Sequence, residues 1–177
     1  VNPQNQHSVL RHASVMALAG AFKENALSTL KNHPNRNVRL SGALALRQKS
    51  SKKIAGYLSD DSPNIMLETA RMIHDLPVQD ALPELAQLHS TRSKWIPKFA
   101  AKENISSGTP DLVSMLFWIY HANYLTGQSE NLNALIEAVS DTSLPETMRD
   151  ACLNWIKSWT SPDEQFSINR KTHLPQP

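Results

Sequence analysis

Large, small and large apolar residues recur along the first half of the chain at a nearly fixed offset. The stretches Val9-Leu10-Arg11 to Ala17-Leu18, Asn37-Val38-Arg39 to Ala45-Leu46, and Asn64-Ile65-Met66 to Met72-Ile73 lie over one another at offsets of 28 and then 27 residues. Leu10, Val38 and Ile65 align, as do Val15, Ala43 and Ala70, and then Leu18, Leu46 and Ile73. Each copy therefore puts its apolar groups at i, i+5 and i+8 on one helical face. A repeat of this kind predicts units that each need a neighbour to cover an apolar flank. Function then comes from an extended surface rather than a buried active site.

The polar positions between these faces give the element boundaries. A first helix closes at Leu30 to His33, and Pro34-Asn35 turns the chain into a second over Asn37 to Gln48. Ser50 or Ser51 caps a short helix running through Leu58. Asp60-Asp61-Ser62-Pro63 ends it, with Asp61 or Ser62 as the N-cap and Pro63 at the first position of a helix over Asn64 to His74. That helix stops at Asp75-Leu76-Pro77, and Val78 to His89 forms the next, with Pro83 tolerated in its first turn. Trp95 to Ala101 is helical, confined by Pro97 to a start or a kink, and Glu103 to Pro110 is a loop. Asp111 caps an apolar helix over Leu112 to Leu125 that belongs in the middle of a stack, and Thr126-Gly127 stops it. Ser129 or Glu130 to Val139 and Pro145 to Trp159 form a last pair, the latter capped by Ser143.

No stretch alternates over a useful length, so the expected fold class is all-α. Short loops between the helices force antiparallel neighbours, and the predicted architecture is an α-α superhelix, a HEAT-like helical-repeat solenoid. It spans residues 1–162, and residues 163–177 form an irregular tail or the start of a following domain.

Composition narrows the classes. Apolar residues make up 40% of the 177 and charged residues 19%, ordinary for a globular protein. The longest apolar run, Met115 to Tyr120, falls far short of the roughly 20 residues needed to span a bilayer. The chain opens Val-Asn-Pro, with neither an initiator Met nor a leader, and reads as a piece of something longer. Its single cysteine, Cys152, rules out an internal disulfide and any CxxC or CxxCH motif. The pattern Met148, Cys152, Trp155, Trp159 makes that cysteine a buried small hydrophobe.

Charge is unevenly placed although the net value is only +2. Between Asn25 and Ser59 stand Lys31, Arg36, Arg39, Arg47, Lys49, Lys52 and Lys53 with no acid. From Asp60 to His89 the balance reverses, with six acids against Arg71 alone. Arg36, Arg39, Arg47, Lys49, Lys52 and Lys53 are the candidate interaction surface, facing phosphate or an acidic partner. The plainer reading is a solvated edge that partly pairs with the acidic repeat that follows.

Candidate chemistry is thin. The seven histidines show no HxxxH or HExxH spacing and no paired carboxylates, so no metal ligands, catalytic residues or cofactor-binding residues are assigned. His74 fits a helix C-terminus, where its charge would suit the dipole. His121 and Asn123 fit a buried helix on which they bond to backbone or loop groups. Trp155 and Trp159, at i and i+4, read as core residues.

Two segments resemble a known family. Ser62-Pro63-Asn64-Ile65-Met66-Leu67-Glu68-Thr69-Ala70-Arg71 resembles the "SPxVRxEAAR" line of short bacterial HEAT repeats. Ser143-Leu144-Pro145-Glu146-Thr147-Met148-Arg149-Asp150-Ala151-Cys152-Leu153, continuing to Trp155 and Trp159-Thr160-Ser161-Pro162, is similar to "LPxxMRxEALxxLxxWxxP". That pattern closes the helical domain of membrane-bound dehydrogenases of the PVC-type haem-binding family, in which His121-Ala122-Asn123-Tyr124-Leu125-Thr126-Gly127 has a counterpart, "NAnfrLG". The resemblance implies a parent with a sugar-dehydrogenase-like propeller, HEAT repeats and a cytochrome c domain, periplasmic or exported. Neither catalytic end lies in this chain, so no cofactor is expected in it. The expected function is a non-catalytic scaffold whose partners are other domains of the same polypeptide or a protein. The alternative is a nucleic-acid-binding HEAT module using the basic segment 31–53, against which the reversed charge of the next repeat argues.

Overall fold

A computed structural model describes residues 3–75, 78–103 and 110–159. The fold is all-α, with no strand among the described residues. The chain divides into two compact units, Val1–Ala81 and Leu82–Pro177.

The first unit alternates long helices with short ones. The long helices are α1 (Pro3–Ala21), α3 (Arg36–Gln48) and α4 (Pro63–Asp75), and α2 (Glu24–Thr29) with the 3-10 turn Leu30–Asn32 follows the first of them. The segment expected to be a short helix from Ser50 or Ser51 is a 3-10 helix, Lys52–Tyr57, and another 3-10 turn, Gln79–Ala81, follows α4. Helix α3 packs against both α1 and α4. At the aligned positions Ala43, Ala70, Leu46 and Ile73 are wholly buried, Ile65 and Val15 are buried, and Leu18 and Val38 are half-buried. The small residues let neighbouring backbones approach, and each large residue buried in full contributes about 1.5–3 kcal/mol.

One ion pair seals this unit. The Arg39 guanidinium donates from Nε to Asp60 Oδ2 at 2.8 Å and from Nη2 to Oδ1 at 3.0 Å, while Nη1 reaches the carbonyls of His33 and Pro34. The Asp60 carboxylate is only 3% exposed. Its Oδ1 also accepts from the backbone N–H of Ser62 at 2.8 Å, so Asp60 ties the turn before α4. Ser62 ends that turn through its carbonyl, which accepts from Ile65 and Met66, not through its hydroxyl. The hydrogen bond to Asp60, with Coulomb attraction, raises the Arg39 pKa further still.

In the second unit α7 (Pro110–Thr126) is the central helix, packed against α5 (Leu82–Gln87), α8 (Ser129–Ser140) and α9 (Glu146–Lys157). Its residues Leu112, Met115, Leu116, Ile119 and Tyr120 are buried, as an all-round apolar helix requires. Gly127, at φ 72°, ends it where the sequence places a stop.

Proline explains two departures from expectation. The helix expected over Val78 to His89 is three pieces, Gln79–Ala81, α5 and the 3-10 turn Leu88–Thr91. Pro83 has no N–H and its ring clashes with the carbonyl four residues earlier, so the α-helix restarts at Leu82. By contrast α6 (Arg92–Glu103) runs through Pro97. The carbonyl deprived of its donor is that of Ser93, an exposed residue in the first turn of the helix. At α9, Ser143 is not the cap. Pro145 holds the N-cap position, and the Ser143 hydroxyl and N–H both donate to Asp141, holding that carboxyl below its usual pKa. The expected Glu103–Pro110 loop and the 163–177 tail fall on residues outside the described set, apart from the loop's two ends.

Candidate interaction surface

The basic segment is shaped by the way α3 stops. The N–H of Ser51 donates to Leu46 O at 3.0 Å and that of Ser50 to Arg47 O at 2.8 Å, the paired bonds of a Schellman motif. The motif needs a left-handed residue at its turn, and Ser50 supplies it at φ 51° without being glycine. Ser51 then caps the 3-10 helix, its Oγ accepting from Lys53 N, while its own hydroxyl donates to Glu24 Oε2 at 2.5 Å.

The six predicted residues separate accordingly. Arg47, Lys49, Lys52 and Lys53 gather around the end of α3, with Lys52 and Lys53 exposed and Arg47 and Lys49 half-buried. Arg36 is exposed at the opposite end of α3, about 18 Å away at 1.5 Å per residue. Arg39 is only 16% exposed and its guanidinium is held by Asp60, so it works inside the fold. The pairing of basic and acidic repeats is thus realised at this one residue of the six; among the described residues the other five make no ion pair.

The second unit holds a polar network not expected from the sequence. Arg92 donates from Nη1 to the Tyr120 hydroxyl at 2.7 Å and from Nη2 to Asp141 Oδ2 at 2.8 Å. His89 Nδ1 lies 3.2 Å from the same hydroxyl and its Nε2 3.0 Å from Glu137 Oε2. These partners are 28 to 49 residues apart, so no local spacing announces them. Tyr120 is wholly buried, and burial drives its pKa far above the ordinary phenol value. A phenol held neutral in this way orders neighbours rather than exchanging protons.

Asn123 does what its place on a buried helix predicts. Its Nδ2 donates to Ala86 O at 3.1 Å and Ile119 O at 2.8 Å, and its Oδ1 accepts from Asn131. His121 sits among aromatic rings, with centroids 5.6 Å from Phe117, 5.2 Å from Trp155 and 6.0 Å from Tyr124. Trp155 and Trp159 join this cluster half-buried, packing against Tyr124 rather than vanishing into a core. Beside it Phe117, Trp118 and Met148 line an open groove of about 350 Å³ between α7 and α9. Cys152 is wholly buried, its thiol pushed up to about 12 by burial. His74 stands in the last turn of α4, the helix end where it was expected, and is buried there; desolvation lowers its pKa despite Asp75 at 3.2 Å.

Among the described residues no group of three His, Cys, Asp or Glu side chains is placed to hold a metal ion. Nor, among them, is any helix long and apolar enough to cross a membrane. Comparison of the chain with protein-family models, curated proteins and solved structures gives no match.

Proposed function

We propose that this chain is a non-catalytic helical-repeat scaffold, a HEAT-like α-α superhelix that holds other domains of its own polypeptide, or a protein partner, in a set geometry. The observation that carries the reading is the buried seam of the first unit. Ala43 and Ala70, with Leu46 and Ile73, occupy equivalent places on α3 and α4, so one sequence rule closes successive long helices against each other. The likeness of the segment from Ser143 to Pro162 to the closing pattern of exported dehydrogenases supports a parent with a propeller before the repeats and a cytochrome c domain after them. By that likeness the protein works in the periplasm or outside the cell. The surface offered to partners is the basic end of α3, with Lys52 and Lys53 exposed and Lys49 half-buried, together with the exposed Arg36 at the other end of that helix.

Lysine-directed cross-linking of the whole protein in its native cells tests the scaffold reading. Cross-links from Lys52 or Lys53 to a flanking domain or a protein partner are expected, and none at all would refute it. The flanking gene sequence tests the parentage through propeller repeats upstream and CxxCH downstream. Sub-micromolar affinity for duplex DNA, falling steeply between 50 and 200 mM salt, would replace the scaffold with the nucleic-acid reading.

A further inference from the structure

We propose that the end of the first unit where α3 stops and α2 starts binds an acidic protein segment carrying an apolar side chain, an inference that rests on the scaffold reading. The juxtaposition comes from one tertiary hydrogen bond. Ser51 Oγ to Glu24 Oε2, at 2.5 Å, joins the cap of the 3-10 helix to the first residue of α2. Phe22 and Lys23 lie just before Glu24, and Lys49, Lys52 and Lys53 lie just around Ser51. Each is at most two residues, about 7 Å of chain, from the bonded pair. A ring and four ammonium groups from two separate stretches of sequence therefore share one edge.

Phe22 is 49% exposed, the most exposed large hydrophobic side chain of the described residues. Lys23, Lys52 and Lys53 are exposed and Lys49 is half-buried. Among the described residues none of the four lysines makes an ion pair. The one carboxylate between them, Glu24, has an oxygen taken by Ser51. The turn that presents the lysines is fixed by the Schellman bonds and by the left-handed backbone of Ser50, so little ordering remains to be done on binding.

Charge placement favours an acidic segment over a nucleic acid. A duplex offers one phosphate charge every ~1.7 Å and rewards cations strung along a track. Here the unpaired lysines stand within two residues of one hydrogen-bonded pair, Ser51 and Glu24, in a short patch that also carries Phe22. The next long helix of the same unit, α4, instead carries the acids Glu68 and Asp75, both paired with Arg71. A short run of carboxylates with one apolar residue for the Phe22 ring matches such an edge in both chemistry and extent.

Fluorescence anisotropy on the whole chain at 50 mM salt tests this, with a labelled glutamate-rich peptide bearing a central leucine, its glutamine counterpart and a duplex DNA. Saturable binding of the acidic peptide is expected, with none by the glutamine peptide. Lys52→Glu/Lys53→Glu should weaken it at least about tenfold and Phe22→Ala at least about threefold, with melting temperature unchanged within a few degrees. Absence of peptide binding, equal binding by either variant, or equal binding of the glutamine peptide overturns the proposal. If cross-links to protein partners still form in cells, the scaffold reading survives that failure. Duplex DNA binding tighter than the acidic peptide overturns both.

Discussion

The phenol oxygen of Tyr57 stands where a side chain on Gly42 would begin. A Cβ built on Gly42 collides with that oxygen and comes within 3.0 Å of Leu30 Cβ, while the Tyr57 hydroxyl donates to Leu27 O at 2.9 Å in a wholly buried site. Gly42 thus admits the ring that bonds α2 to the 3-10 helix beside α3, and burial raises the phenol's pKa to about 12.

Gly42→Ala is expected to destabilise the protein by about 2–3 kcal/mol through overpacking and the displaced hydrogen bond. Urea denaturation measures it. Because Tyr57→Phe removes the colliding atom, the double variant should lose less than the sum of the two single losses. Strict additivity would show that the two sites do not meet.

Ser50 bears a backbone conformation that L side chains adopt reluctantly. Ser50→Gly removes that steric cost but adds freedom to the unfolded chain, for a net gain of about 0.5–1 kcal/mol. Thermal melts should rise by a few degrees. A fall would mean that the serine side chain stabilises the turn by more than its backbone costs.

Thr69 is completely buried on α4 and its hydroxyl has no partner among the described residues. Thr69→Val keeps the shape and removes the stranded polar group, and is expected to stabilise by about 1 kcal/mol. Chemical denaturation with an unchanged slope and a higher midpoint is the supporting result.

His74 should make stability depend on pH. Its folded pKa lies below the usual 6.5 because burial penalises the cation. As pH falls below about 6.5 the unfolded chain takes the proton first, so stability declines from there until the folded pKa is passed, and is complete above that window. The difference between wild type and His74→Gln, followed by urea midpoints from about pH 7.5 to 5, should change across this window. A constant difference would show the ring is as free to charge in the fold as out of it.

Asn123→Ala should cost about 2–3 kcal/mol, since it strands the Asn131 amide and removes two buried donor bonds at once. Circular dichroism melts check this. A loss below about 0.5 kcal/mol would mean that solvent or neighbouring groups replace those bonds.

Helices set by local rules were legible in the sequence. α3 and α4 extend only a residue or two beyond the expected Asn37 to Gln48 and Asn64 to His74, because period, capping and proline placement agree there. Short elements were less so. The 3-10 helix over Lys52–Tyr57 carries the same residues a short α-helix would, and only packing decides between them. At the candidate surface the lysines were visible as a run without acids. Phe22 and Lys23 were not, because the Ser51–Glu24 bond that brings them there links positions 27 residues apart. The Arg39–Asp60 pair was half visible, as opposite charge in consecutive repeats, but nothing local selects Arg39 over Arg36 as the residue that turns inward.

The Tyr120 hydroxyl carries a single hydrogen, and a guanidinium only donates. With Arg92 supplying one bond to that oxygen, the contact with His89 Nδ1 takes one of two forms: the phenol donates to the ring, or the ring donates to the remaining lone pair of the phenol. In the first form the hydrogen of the ring sits on Nε2, aimed at Glu137. The phenol thus couples an arginine to the tautomer of the ring across the hydroxyl from it, a choice that nitrogen chemical shifts of His89 would reveal and that Arg92→Met should shift.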